Sequence, residues 1–303
     1  MRISLVAPKT INRNPEFRFD YAYWNFYLPL LSLGHDVHFF DTSILGNKDL
    51  KNHIESFKPE LLFCIMTGSP YYCPDEPWNT IGKETQKGNI KTFNWFCDDS
   101  WRFDHFSSKV CTAFHYCSTP EKSFVDKYKQ IGYNNIQYAT WHANSDLYSS
   151  LPNERRLNTI SFVGSLRGDR KKAVNLLRSK GFGVYIPTDS SFEGMVSTYS
   201  SSFASLNFSK NSVDDATQMK ARMFEVPATG SLLITEYSKD LENCYNIGHE
   251  IVTFSTEDQL LSIAEDIDFN RGKYEEIAKR GHERFMKDHD SKVRLATVLE
   301  NIK

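Results

Sequence analysis

No apolar run in the 303 residues approaches the ~20 residues of a membrane-spanning helix, so no stable membrane insertion is expected. There is no CxxC pair and no cysteine–histidine cluster at zinc spacing, so no metal site is expected. The six cysteines, Cys64, Cys73, Cys97, Cys111, Cys117 and Cys244, are scattered and suit free thiols in a reducing compartment. Net charge is nearly absent: 36 Lys and Arg stand against 38 Asp and Glu, giving −2. Residues 1–152 hold 15 against 16 and the remainder 21 against 22, so neither half has the overall basic footprint of a nucleic-acid binder. The start, MRISLVAPKT, lacks the long apolar core and small-residue cleavage site of a signal peptide and reads as a first β-strand. A cytoplasmic protein is the expectation.

What is present is ordinary globular material, 40% hydrophobic and 24% charged, enough for two cores. At ~100–200 residues per domain the length predicts two domains. Strand and helix patterns alternate from the first residues. Ile3–Ala7, His35–Asp41, Leu61–Met66, Thr92–Cys97, Val110–Cys117 and Ile136–Thr140 read as strands. Tyr21–Leu33, Leu50–Phe57 and Glu121–Gln130 read as helices, the last with Thr119 as a plausible N-cap, and residues 67–90 as loop. Residues 141–158 look like a polar linker. The alternation then restarts, with strands at Thr159–Val163, Gly183–Ile186, Ser205–Phe208, Leu232–Thr235 and Ile251–Phe254. Helices fall between them, Gln218–Val226 included, and at the end of the chain. Two such series predict two parallel α/β sheets, with ligands at the carboxyl ends of the strands.

The stretch QMKARMFEVPATGSLLITE, residues 218–236, holds the strongest candidate chemistry. A helix N-terminus with Lys220 and Arg222 suits a diphosphate, and Glu225 could accept both hydroxyls of a ribose. Gly230 follows the expected helix end, and Thr235 and Glu236 close the next strand. The same residues would also make a plain amphipathic helix with a glycine stop. In the first half, Asp98 and Asp99 follow a strand, where one could serve as a base or acceptor ligand and either could be a turn or cap residue. Trp101, Arg102 and His105 share that loop. His115 reads as a core residue within a strand, and His142 as an exposed linker residue or one that lines a cleft. The aromatic run Tyr21–Tyr27 reads mainly as core, although aromatic faces also stack on sugars and bases, and Arg13–Arg18 is a candidate acceptor-side segment. The basic turn RGDRKK, Arg167–Lys172, suits a donor phosphate, a solvated helix start or nucleic acid.

Residues 159–300 resemble the C-terminal half of GT-B-fold glycosyltransferases, in the spore-maturation-protein-like branch near glycosyltransferase family 4. The resemblance rests on TISFVGSLRGDRKKAVNLL, SSSFASLNFSK, KARMFEVPATGSLLITE, DLENCYNIGHEIVTFSTEDQLL and IAKRGHERFMKDHDSKVRL, in the family's order. FNWFCDDSWRFD and YATWHANSDLY extend it loosely into the first half. It implies a GT-B fold: a Rossmann-like acceptor-side domain at 1–150, a Rossmann-like donor domain at 151–288, and a last helix at 289–303 that returns to the first domain, with a central cleft. It implies a nucleotide-sugar donor, UDP-linked, as cosubstrate, with no metal or other cofactor and retention of anomeric configuration. Glu225 matches the ribose-binding glutamate, Lys220 and Arg222 face the diphosphate, and Gly164, Ser165, Arg167 and Arg170 form the turn that contacts donor phosphates. Asp98 and Asp99 match the loop facing the donor sugar. One position departs: many relatives carry a sugar-contacting glutamate eight residues before the ribose-binding one, where this chain has Thr217, with Asp214 and Asp215 just upstream. The acceptor stays open among a glycan, a protein side chain, a lipid-linked intermediate and a hydroxymethylated DNA pyrimidine. A non-catalytic nucleotide-sugar-binding protein and a GT-B-fold epimerase are the competing readings.

Overall fold

The computed structural model describes all residues except 15, 67, 69–75, 149, 153–154, 189–190, 212, 214 and 303. The chain forms two compact units, Met1–Thr140 with Ser291–Lys303, and Trp141–Asp290.

The first unit holds six parallel strands: β1 (Arg2–Ala7), β2 (Asp36–Asp41), β3 (Leu61–Cys64), β4 (Lys91–Trp95), β5 (Tyr116–Thr119) and β6 (Ile136–Tyr138). They lie in the order β2-β1-β3-β4-β5-β6. The central strands β1, β3 and β4 are buried along nearly their whole length because helices cover both faces, as parallel sheets require; β3, LLFC, is entirely buried. The second unit holds β7 (Leu157–Ser161), β8 (Val184–Tyr185), β9 (Ser202–Asn207), β10 (Leu232–Glu236) and β11 (Val252–Phe254), in the order β11-β10-β9-β7-β8. Counted from its own first strand, each sheet therefore runs 2-1-3-4-5, with a sixth strand added in the first unit. In such a sheet the chain reverses direction across the layer between its first and third strands. The loops leaving those two strands diverge, and a crevice opens between them. Those crevices follow β1 and β3 in the first unit, and β7 and β9 in the second.

Two apolar clusters sandwich the second sheet. Ile160, Phe162, Leu206, Leu232 and Ile234 pack with Val174, Leu177, Leu260 and Ile277, while Leu233 packs with Met223, Phe224, Tyr245 and Phe285. Among the described residues no helix is long and apolar enough to cross a membrane.

Several local expectations shift. Trp78–Lys87 is a helix where loop was expected; Trp78, Ile81 and Glu84, three apart, form its buried stripe. The run Val110–Cys117 is not one strand: a 3-10 turn at Cys111–Ala113 precedes β5. His115 lies just before that strand, its Nδ1 accepting the Thr92 backbone N–H at 3.1 Å. Thr119 ends β5, and the following helix, Lys122–Gln130, begins after Glu121. Tyr21–Leu33 contains a π-helical turn at Tyr23–Tyr27 before the helix Leu28–Ser32; there Phe26 packs on Phe63 and Trp95. The described residues among 141–158 include several that are not solvated. His142 is 2% exposed, and Ala143 and Tyr148 join the cluster around Met223 and Phe224.

Candidate functional site

The carboxyl ends of β7, β9 and β10 enclose a hollow of about 370 Å³ in the second unit. Ser165, Arg167, Gly168, Asp169 and Arg170 enter it from the turn after β7, and Phe208, Lys210, Asn211 and Asp215 from the loop after β9. Glu236 enters from the end of β10. It is the crevice that the strand order creates.

Its chemistry favours an anion. The helix Gly168–Ser179 starts at the hollow, so its first-turn backbone N–H groups, which have no partner within the helix, lie at the rim. Burial pushes the Arg170 guanidinium below its ordinary range, and the neighbouring Arg222 and Arg167 push the same way against Glu236. Cations that repel one another are held together there, an arrangement that a bound anion relieves. Glu236 is fixed by the Lys210 backbone N–H, which donates to Oε2 at 2.9 Å, and by the Lys210 ammonium at 3.5 Å.

Gly164 and Arg222 lie beside the hollow. Gly164 has φ +146°, and a methyl group there would stand 2.8 Å from Arg222 Nη2 and 3.3 Å from the Phe162 ring. The missing side chain is what lets the guanidinium rest on the turn. Arg222 opens the helix Arg222–Ala228, which also carries Glu225. Glu225 is 5% exposed, and its Oε1 accepts a hydrogen bond from Tyr148 at 3.0 Å. Burial raises its pKa, opposed by the Arg222 charge and the Tyr148 bond.

Other candidates stand further back. Lys220 Nζ donates to the carbonyls of Phe208 and Lys210, at 2.8 and 2.7 Å, bracing the loop after β9. Thr235 is buried and accepts from Asn207 Nδ2 at 2.9 Å. Gly230, at φ +72°, packs against Ser150 and Arg156. Thr217 is exposed and faces Lys210 in an antiparallel bridge; Asp214 lies outside the described residues. Lys210, Phe208 and Asn211 were not singled out from the sequence, although Phe208 ends an expected strand and SKN directly follows it. Tyr148 was hidden by the linker reading.

In the first unit the two adjacent aspartates separate. Asp99 is fully buried, accepting from Ser107 Oγ at 2.6 Å and Tyr128 OH at 3.0 Å. Burial pushes its pKa up to about 6, against the Ser107, Thr119 and Tyr128 hydrogen bonds. Asp98, half-buried at the carboxyl end of β4, adopts φ +60°. Arg102 on the same loop covers the Phe106 ring at 4.5 Å and donates to Cys97 Sγ at 3.7 Å. Arg13 forms an ion pair with buried Glu76.

Residues 160–300 match the family model of glycosyl transferase-like domains. No curated protein matches the chain at a significant level. Among solved structures, sucrose-phosphate synthase from Thermosynechococcus elongatus superposes with a TM-score of 0.66 at 9% identity, covering 99% of this chain and 98% of its own. HepE from Anabaena, solved with UDP-glucose, gives 0.61 at 10% identity over 99% and 98%. A glycosyltransferase from Rickettsia africae gives 0.62 at 11% over 99% and 96%. Such identities establish the fold alone, that of the GT-B glycosyltransferases, and residues 160–300 form a glycosyl transferase-like domain by the family model.

Proposed function

We propose that the hollow at β7, β9 and β10 holds the diphosphate of a nucleotide-sugar donor, UDP-linked, and that the sugar passes to an acceptor hydroxyl. The observation that carries this reading is the convergence of Arg167, Arg170 and Lys210 with a helix N-terminus in one crevice. Charge develops on the departing nucleoside diphosphate as the glycosidic bond breaks. Fixed cations in a partly dry site stabilise that charge without reorganising, so they lower the barrier and not only the dissociation constant. In this reading Arg222, resting on Gly164, adds a further cation, and Glu225 takes the ribose hydroxyls. Glu225 then exchanges a partly satisfied buried state for two hydrogen-bond donors. HepE, solved with UDP-glucose bound, supports the choice of nucleotide.

Transfer with retention and without a metal or other cofactor follows from the family-4 resemblance, as does the spore-maturation-protein-like branch. Asp98, rather than the internally bonded Asp99, is the carboxylate we assign to the reaction side of the first unit. The acceptor is a hydroxyl on a glycan, protein, lipid-linked intermediate or modified DNA base. Cys64, Cys97, Cys111, Cys117 and Cys244 are free thiols, which supports a cytoplasmic setting.

Calorimetric titration and donor-hydrolysis assays with UDP-, GDP-, ADP- and CDP-sugars test the reading, with Glu225→Ala alongside wild type. One nucleotide class should bind and slowly release its nucleoside diphosphate, and Glu225→Ala should abolish both. Absence of binding by every nucleotide sugar overturns it.

A further inference from the structure

A second hollow, of about 670 Å³, lies in the second unit and shares no lining residue with the donor hollow. Its lining includes Tyr237, Glu242, Asn243, Asn246, Thr253 and Arg284. Both hollows lie at the carboxyl end of β10. Successive side chains on a strand point to opposite faces, so Glu236 enters the donor hollow and Tyr237, the next residue, enters this one. The Tyr237 N–H donates to the Phe254 carbonyl at 2.8 Å, which carries the pairing with β11 to that point. The volume falls within the roughly 300–1,000 Å³ of small-molecule sites.

The chemistry differs from that of the donor hollow. Among the described residues Arg284 is the one cation of the lining, and Glu250 at 2.9 Å and Asp288 at 2.6 Å already meet its charge. Nothing here gathers cations for a phosphate. Glu242 is fixed by the Tyr237 hydroxyl, which donates to its Oε1 at 2.6 Å. Asn243 Nδ2 donates to Asp240 Oδ1 at 3.2 Å, which leaves its own carbonyl oxygen open. Among the described residues the Asn246 amide and the Thr253 hydroxyl make no hydrogen bond, although both line the hollow. Amides and hydroxyls donate and accept at once, as sugar hydroxyls do. The half-buried Tyr237 ring adds an apolar face of the kind that packs on the C–H side of a sugar ring. An apolar ligand would use the ring and cover the open amide and hydroxyl without a partner, which costs affinity.

We propose that this hollow is a second binding site, for a glycan, held through Asn243, Asn246 and Thr253 with the Tyr237 ring against a sugar face. The proposal goes beyond the donor reading and stands apart from it, because the two hollows have no residue in common.

The test is a glycan array probed with the full chain, followed by calorimetric titration of the best-bound oligosaccharide with and without saturating UDP. Wild type should bind that oligosaccharide saturably and equally in both conditions. Asn246→Ala combined with Thr253→Val should weaken it by about tenfold or more and leave UDP affinity within about twofold. A chain that binds no glycan on the array overturns the proposal. So does glycan binding that UDP displaces, or that the paired variant leaves intact, because the glycan then sits elsewhere. A paired variant that loses glycan and UDP equally overturns it too, since that is the mark of merely structural residues. Glycan binding that the paired variant removes, in a chain that takes no UDP, supports the proposal and sinks the donor reading alone.

Discussion

Replacing Gly164 with alanine should damage stability and donor affinity together, by amounts that the local geometry sets. The backbone there has φ +146°, a conformation that side-chain-bearing residues rarely adopt, costing about 1–3 kcal/mol. The new methyl group would also stand 2.8 Å from Arg222 Nη2 and 3.3 Å from the Phe162 ring. Phe162 is fully buried and cannot move, whereas the guanidinium is the free end of a long side chain. Relaxation therefore displaces Arg222. A loss of about 2 kcal/mol in a unit the size of Trp141–Asp290 lowers its melting temperature by about 4–8 °C. Removal of one charge-assisted contact to a phosphate weakens UDP binding by roughly tenfold or more. Gly248→Ala is the control, because Gly248 is also left-handed, at φ +82°, but lies away from the hollow, and a methyl group there meets nothing within 4 Å. It should share the loss of stability and keep most of the affinity. Thermal melting and calorimetric UDP titration read the two effects. A Gly164→Ala protein that melts within a degree of wild type and binds UDP equally refutes the argument.

Gly281 lies inside the helix Arg271–Arg284, where alanine ordinarily stabilises by about 1 kcal/mol, yet an added methyl group would collide with the Glu250 backbone carbonyl. Gly281→Ala should therefore destabilise in urea unfolding, and any gain in stability contradicts the packing. Asp99 has its pKa raised by burial to about 6 from 3.8, so its contribution to stability is full below about pH 4 and lost as pH rises through 6. The two-unit shift corresponds to about 3 kcal/mol, and Asp99→Asn should remove that slope from a stability–pH profile; an unchanged slope would point to another group. Tyr148→Phe removes the bond to Glu225 Oε1 and should cost about 1–3 kcal/mol. The Tyr148 hydrogen bond opposes the burial that raises the Glu225 pKa, so Tyr148→Phe should raise that pKa further, and an unchanged Glu225 titration would contradict the pairing.

The alternation of apolar strands and amphipathic helices made the two parallel sheets legible, because period and spacing are local properties. The turn RGDR after a strand and the GSLLITE strand end were legible for the same reason. What escaped depended on contacts distant in sequence. Trp78–Lys87 was lost in a stretch crowded with turn formers, although its buried stripe is plain once the sheet is present. Residues 141–158 are polar by composition, but Ala143 and Tyr148 pack onto a cluster more than 40 residues away. The different roles of Asp98 and Asp99 follow from Ser107 and Tyr128, which no spacing rule connects to them. Lys210 gains meaning only when β9 is set between β7 and β10.

The most direct measurement is calorimetric titration of UDP into wild type and Arg170→Ala, the guanidinium crowded by Arg222 and Arg167 in the hollow. The account predicts saturable one-to-one binding to wild type and a loss of roughly tenfold or more in the variant, with the fold intact by circular dichroism. UDP binding that is unchanged by Arg170→Ala would contradict it, because the diphosphate would then lie somewhere other than the hollow at the ends of β7 and β9.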